Sequence, residues 1–468
     1  MQKINLLKNS GELVSKLMMP FLVCLAIMIY VPALFHNNLW VDEIYTVLYL
    51  NGSVNDVFGT IIYNDVHPPL YYVVLKIWTY LFSDNLVSLR FFSLIPILLF
   101  AVLGGGPFKK LFGNKTAFLW TLCMMFSPFA FYMALDIRMY SWCTFFVSGA
   151  LLYSFMVMKD NNYTNWIMLT LFSVCGVLTH YYCAFAIGLV WLFLTLHFFM
   201  NFQKCKKMLK SYFLCGSFVF LIALCCLMIL YGQYTHQIDN SWISMETVKE
   251  AIVKNIFFAP KNTFFSLLTW GLFFVSLFKT LVHNKNSVLG FVRTAGLMVL
   301  ILFAVGIGIS FLLKPLFVYR YFYPFLGCFF LVVSYGIFKT KYLYILYIIL
   351  FVWVFVGSYH ELNARISDLS RKDIINALER IDKNNNPIIF LDGSKALLFY
   401  QVYSNKLEYK IFQTKEDFLE MLDLNLKRDV YLFSPSGKDM SDSGYFENVQ
   451  CYFFKYDTTN YCIAKLKK

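Results

Sequence analysis

A polytopic α-helical membrane protein carrying a C-terminal α/β domain outside the bilayer is the fold class this chain predicts. Three observations carry that prediction. Of 468 residues, 59% are hydrophobic, 20% aromatic and only 14% charged, with a mean hydropathy of +0.60. A soluble domain carries roughly 25% charged residues. Apolar runs of ~17–25 residues, the length a bilayer core demands of a helix, recur along the first three quarters of the sequence. After residue 360 the charge density rises sharply and the patterning changes from long apolar runs to short alternating ones.

The eleven apolar runs lie near 17–35, 86–106, 116–134, 139–158, 164–179, 182–201, 211–231, 263–281, 294–313, 322–338 and 342–359. The first ends in Pro32, Phe35 and His36 without a small-x-small cleavage site, so it reads as a retained helix rather than a removed signal. Lysine and arginine placement sets the orientation. With the N-terminus in the cytoplasm, the inside segments collect sixteen cations against two acids, Glu12 and Asp160. The outer loops before residue 360 hold eight cations and nine acids, and the tail holds sixteen of each. The net charge of +13 is therefore a topology signal, and nucleic-acid binding is not needed to explain it. An odd helix count leaves the tail outside.

Two domains follow: residues 1–359, membrane-embedded, and residues 360–468, extracytoplasmic. The first outer loop, 36–85, contains an apolar stretch at 69–82 broken by Lys76, which reads as a helix lying along the interface with Tyr71, Tyr72, Trp78 and Tyr80 at headgroup level. The second, 232–262, holds an amphipathic stretch at 245–258. In the tail, 387–392, 407–412 and 429–433 read as strands, with helical spacing at 396–403 and 415–424 between them. A closing hairpin is expected from 450–456 and 461–466. Ten of twelve cysteines lie in or beside apolar helices, where cysteine behaves as a small hydrophobe. Cys451 and Cys462 lie outside; a disulfide and two strands joined by a turn fit their spacing equally well.

Polar clusters fall at the outer ends of these helices: Asp42-Glu43, His67 with Pro68-Pro69, Asp136-Ile137-Arg138-Met139-Tyr140, Thr179-His180-Tyr181-Tyr182 and Tyr319-Arg320-Tyr321. Carboxylates beside a bilayer cost desolvation energy and mark function. A carboxylate can take a proton from an attacking hydroxyl, and arginines grip phosphate oxygens bidentately. Positioned positive charge stabilises a departing phosphate without a general acid. With no ATP on the outer face, a substrate there has to arrive activated, and a lipid-phosphate sugar meets that requirement. Each cluster also has a plainer reading. Acids cap helix N-termini, a residue before proline sits in a turn, and an arginine among tyrosines anchors an interface.

Asp-Glu in the first outer loop, then His-Pro-Pro-Leu-Tyr-Tyr, then acid-x-Arg-x-Tyr at the third-to-fourth helix turn, resembles the GT-C membrane glycosyltransferases, in particular the protein O-mannosyltransferase and aminoarabinose-transferase group. The resemblance covers roughly residues 10–340. It implies a GT-C-like fold and transfer of a sugar from a polyprenyl-phosphate donor to a lipid, glycan or protein acceptor at the outer face of a bacterial-type inner membrane. Carried onto this sequence, it makes Asp42 the general base, Glu43 its supporting neighbour and Asp136 a second acid. It makes Arg138 and Arg320 donor-phosphate ligands, joined by His67 and Tyr181. It implies no firm cofactor and leaves a divalent metal open, with Asp42, Asp136 and His180 as the candidates. His67 stands where some relatives place a lysine. A lipid-linked glycan transporter or flippase is the alternative, but it predicts midplane charges and paired broken helices. A glycan polymerase would differ only in acceptor.

Overall fold

The computed structural model describes residues 2–36, 38–237, 243–259, 261–282, 287–337, 341–367, 370–381, 387–392, 408–412, 429–434, 446–454 and 459–466. It divides into two compact units, Met1–Phe35 with Gly52–His360, and His36–Asn51 with Glu361–Lys468. The division near residue 360 matches the jump in charge density. The assignment of His36–Asn51 to the second unit departs from the sequence reading, which kept the whole first loop with the membrane domain.

In the first unit every predicted apolar run is helical, but the span count differs from eleven. Among the described residues, eight helices are long and apolar enough to cross a membrane, or nine if a bent pair counts as one. The bent pair is Asn114–Phe126 and Pro128–Leu135, which meet at 54°. Pro128 has no N–H to continue the hydrogen-bond ladder and starts a new helix instead. Of the other two runs, Tyr163–Val177 is a shorter apolar helix, and the first lies within the long helix Gln2–Ala33. Hydropathy counts apolar residues, whereas spanning also requires an unbroken rise of sufficient length.

The shorter helices are delimited by local chemistry. Ser53 accepts the N–H of Asp56 while the Asp56 carboxylate takes the Ser53 N–H at 2.7 Å, starting helix Val54–Asn64. Asn85 accepts the Ser88 N–H at 2.9 Å and starts Leu86–Leu103. The stretches read as interfacial and amphipathic become helices Leu70–Leu81 and Met245–Ile256. Helix Tyr140–Lys159 is held close on two sides. A Cβ on Gly149 would stand 2.3 Å from the Phe172 ring, and one on Gly327 would stand 2.0 Å from the Ser148 hydroxyl. Only glycine permits these approaches, and they fix the helix whose first residue, Tyr140, lies at the site described below.

The second unit contains a five-stranded sheet: β1 Ile388–Asp392, β2 Glu408–Phe412, β3 Val430–Ser434, β4 Phe446–Phe454 and β5 Thr459–Leu466, in the order β2-β1-β3-β5-β4. β1 pairs in parallel with β2 and β3, while β5 runs antiparallel to β3 and β4. All five expected strands are present. The helical stretches expected at 396–403 and 415–424, where parallel pairing requires crossovers, lie outside the described residues. Alternation places Ile389 and Leu391 on one face with Phe433, Tyr461, Ile463 and the helix Ser370–Glu379, and Ile388 and Phe390 on the other with Val430 and Leu432. Trp40, from the first loop, packs against the former cluster, and the Asn38 amide donates to the Ile366 carbonyl at 3.1 Å.

Cys451 and Cys462 face each other across β4 and β5 and form a disulfide. The strand pairing and the bond thus both hold, where the sequence left them as alternatives. Closing an 11-residue separation contributes about 2–3 kcal/mol in the chain-entropy view. Cys451→Ser is expected to lower the protease resistance of this unit, and reductant to do the same to the wild type but not to the variant; limited proteolysis of membranes with and without dithiothreitol checks this.

Candidate active site

Four chain segments of the first unit converge: the turn before helix Leu70–Leu81, the turn before Tyr140–Lys159, the turn before Tyr181–Met200, and the tight helical turn Tyr319–Phe325. The first and third are tied by their backbones, Leu70 donating its N–H to the Leu178 carbonyl at 3.0 Å. Pro68 and Pro69 have no amide hydrogens to offer there, so Leu70 carries the first available donor.

His67 is buried, and its Nδ1 lies 2.5 Å from the Asp65 carboxylate. Asp65 is buried too, accepts the Val66 N–H at 2.6 Å and lies within hydrogen-bonding reach of the Tyr72 hydroxyl. Tyr72 in turn accepts from Arg138 Nη1 at 2.9 Å. A continuous polar relay therefore runs Arg138–Tyr72–Asp65–His67. Burial pushes the Asp65 carboxyl up, but His67, the Arg138 charge and the Tyr72 hydroxyl together outweigh it and hold the group below the ordinary carboxylate range. An acid with a depressed folded-state value stabilises the protein above its unfolded value, and that contribution is lost as pH falls through the folded one. The Asp65 contribution is thus expected to be complete above about pH 4 and to fade only below it. Thermal unfolding of Asp65→Asn and wild type should converge at the acid end and diverge toward neutrality.

His180 packs against this relay, its ring centroid 5.0 Å from that of His67, 5.4 Å from Tyr321 and 6.1 Å from Tyr140. Burial first, and then the charges of His67, Arg138 and Arg320, push His180 well below the ordinary imidazole range. That set of neighbours places Arg138 and Arg320 in one electrostatic environment with both histidines. Arg320 is buried and lies over the Tyr140 and Tyr319 rings, 5.6 and 5.7 Å from their centroids. Asp136 is half-buried and within electrostatic reach of Tyr319 and Tyr323. At the edge, the rings of Tyr182 and Tyr321 stack at 4.0 Å.

Tyr181, expected at the phosphate, has its hydroxyl engaged elsewhere: it donates to Gln233 Oε1 at 2.6 Å. The Gln233 amide donates to the carbonyls of Ile61 and His67 at 3.0 and 3.1 Å. Tyr181 therefore acts on the His67 turn through Gln233. Below it, an apolar groove of about 370 Å³ runs between helices Tyr181–Met200 and Leu209–Gln237, lined by Ala184, Gly188, Trp191, Gly216, Phe220 and Ala223 among others.

Asp42 and Glu43 stand on helix Val41–Tyr49 of the second unit. Glu43 is fully buried, and its carboxylate accepts the Trp40 N–H at 3.1 Å, the helix-capping role that its plainer reading expected. Asp42 is half-buried, and its carbonyl accepts from the Thr46 hydroxyl. Among the described residues, no three His, Cys, Asp or Glu side chains group as metal ligands, so Asp42, Asp136 and His180 do not form a ready-made set.

The sequence reading passed over Asp65, Tyr72 and Gln233 as site residues. Asp65 and Tyr72 flank the His-Pro-Pro step and carry the relay. Gln233 had its own signal, an amide at the end of a long apolar helix, where polar groups find partners. Arg90, fully buried in Leu86–Leu103 one turn from Ser93, was counted only as a charge; the Ser93 hydroxyl donates to the Arg138 carbonyl at 3.5 Å.

Comparison with solved structures decides the fold. ArnT from Cupriavidus metallidurans in the apo state superposes with a TM-score of 0.62 at 12% identity, covering 98% of this chain and 98% of that one. The same protein bound to undecaprenyl phosphate gives 0.56 at 11% identity, covering 95% and 97%. The chain has the GT-C fold of ArnT. A family model described as dolichyl-phosphate-mannose-protein mannosyltransferase matches residues 66–231 of this chain. That stretch contains His67, Arg138 and His180 and leaves out Asp42 and Arg320. No curated protein matches the chain in sequence.

Proposed function

We propose that the chain transfers a sugar from a polyprenyl-phosphate donor to an acceptor at the outer face of the membrane. The observation that carries this reading is that Arg138, Arg320 and His67, all buried, act together on the buried His180, within a fold whose ArnT example has been captured with undecaprenyl phosphate. A phosphate ester accepts the planar donor arrays of guanidiniums. The apolar groove beside helix Tyr181–Met200 gives the polyprenyl tail a seat, and the stacked Tyr182 and Tyr321 rings offer a face for the sugar.

In this reading Asp42 takes the proton from the acceptor hydroxyl. The oxygen attacks the anomeric carbon, the bond from that carbon to the phosphate oxygen breaks, and polyprenyl phosphate leaves with the bonding pair. Arg138 and Arg320 stabilise the charge it gains, and Glu43 holds the start of the helix that presents Asp42. The disulfide supports an extracytoplasmic tail, since such bonds persist in oxidising compartments, as does the clustering of lysines in the segments read as cytoplasmic. Membranes containing the protein, supplied with a panel of radiolabelled polyprenyl-phosphate sugars and envelope acceptors, are expected to release polyprenyl phosphate with one of them. Release with none, where a control transferase is active, would overturn the reading.

A further inference from the structure

Resting on that reading, we propose that the Nε2–H of His180 is a hydrogen-bond donor to the phosphate of the lipid-linked donor, and that His180 is not a metal ligand. The ring's own bonding carries the argument. His180 immediately precedes helix Tyr181–Met200, and its Nδ1 accepts the backbone N–H of Tyr182 at 3.0 Å. A nitrogen that accepts presents a lone pair, so a neutral ring carries its single proton on Nε2. Protonation would put a hydrogen on Nδ1 and remove that contact, so the ring that accepts from Tyr182 is neutral.

That Nε2–H is buried and meets no acceptor among the described residues, in a side chain only 3% exposed. Buried donors are nearly always satisfied, and an exception calls for a missing partner. The groups around it are aromatic faces from His67, Tyr140 and Tyr321, with two guanidiniums in electrostatic range. The nearby Asp65 carboxylate is taken by His67 Nδ1, and no acceptor among the described residues reaches the His180 Nε2–H. A phosphate oxygen supplies that acceptor. A metal cation fits poorly: it would need a lone pair on Nε2, which the Nδ1 contact removes, and it would lie among cations.

When the anomeric C–O bond breaks, the phosphate goes from a diester monoanion to a more highly charged monoester. A hydrogen bond from His180 then strengthens as charge develops, which is the condition for catalysis rather than mere binding. As a neutral donor it adds this stabilisation without adding a third fixed positive charge beside the arginines.

Two substitutions separate the atoms of the ring. His180→Asn keeps an acceptor near the Nδ1 position, so the helix cap survives, but has nothing at Nε2. His180→Gln restores an amide N–H near Nε2. With full-length protein in detergent and undecaprenyl phosphate as the probe, His180→Asn is expected to bind about 10-fold or more weakly and to lose about 10²-fold in kcat, with His180→Gln recovering most of both. Unchanged thermal unfolding of His180→Asn shows that the cap holds. Equal binding and turnover by wild type and His180→Asn would overturn the inference alone. So would a chelator that lowers wild-type binding to the His180→Asn level while leaving the variant unaffected, because that result would make the ring a metal ligand. Wild-type protein that fails to bind undecaprenyl phosphate would remove the donor reading itself, and this inference with it.

Discussion

Asp42→Asn is expected to bind undecaprenyl phosphate as wild type does while transferring sugar about 10²–10⁴-fold more slowly, the usual span for loss of a general base. Asn keeps the size and polarity of the side chain, and the Asp42 carbonyl contact to Thr46 is a backbone feature it does not touch. The helix keeps its cap, because Glu43 supplies it. The loss should fall on kcat and spare KM, since a base acts on the acceptor proton and not on the donor phosphate. Turnover at the wild-type rate would move the role of base to another residue. Single-turnover transfer alongside equilibrium binding of the product lipid separates the two quantities.

Arg138→Met is expected to give the opposite split, weakening undecaprenyl phosphate binding by roughly 30-fold to several thousand-fold, the range implied by 2–5 kcal/mol for removing one member of a buried charge-assisted pair. Methionine approximates the aliphatic length of arginine but offers Tyr72 no donor. The guanidinium also helps to hold Asp65 ionised, so its removal loosens the relay to His67 and should lower the unfolding temperature too. Arg138→Lys keeps the charge but not the planar fork, and is expected to recover stability better than binding. Isothermal binding measurements with thermal unfolding on the same preparations check both statements.

The membrane-spanning part was legible in outline because apolar composition over ~20 residues leaves few alternatives to a helix. The exact number of spans was not, because Pro128 breaks a run that hydropathy treats as continuous and because Tyr163–Val177 is apolar throughout yet short. The tail's strands could be read from their period-two alternation, which depends only on neighbours in sequence. The site was legible one cluster at a time. Arg138, His180 and Arg320 stood out as polar residues at helix ends, and the fold brings them together with His67. Asp65 was given no role because its meaning lies in a pairing with a histidine two residues on and a tyrosine seven residues on. The bond from Tyr181 to Gln233 was hidden for the converse reason: the partner lies 52 positions away, and no local pattern announces it.

The joining of His36–Asn51 with the C-terminal unit bears on how this protein could be cut and recombined. Trp40 fills part of the hydrophobic cluster under the sheet, and Asn38 bonds to Ile366. A chimera that exchanges only residues 361–468 would therefore leave an indole without its cavity two residues before Asp42. The exchangeable module is discontinuous, and a graft that carries the short loop segment along with the tail is the one that should keep its folding intact.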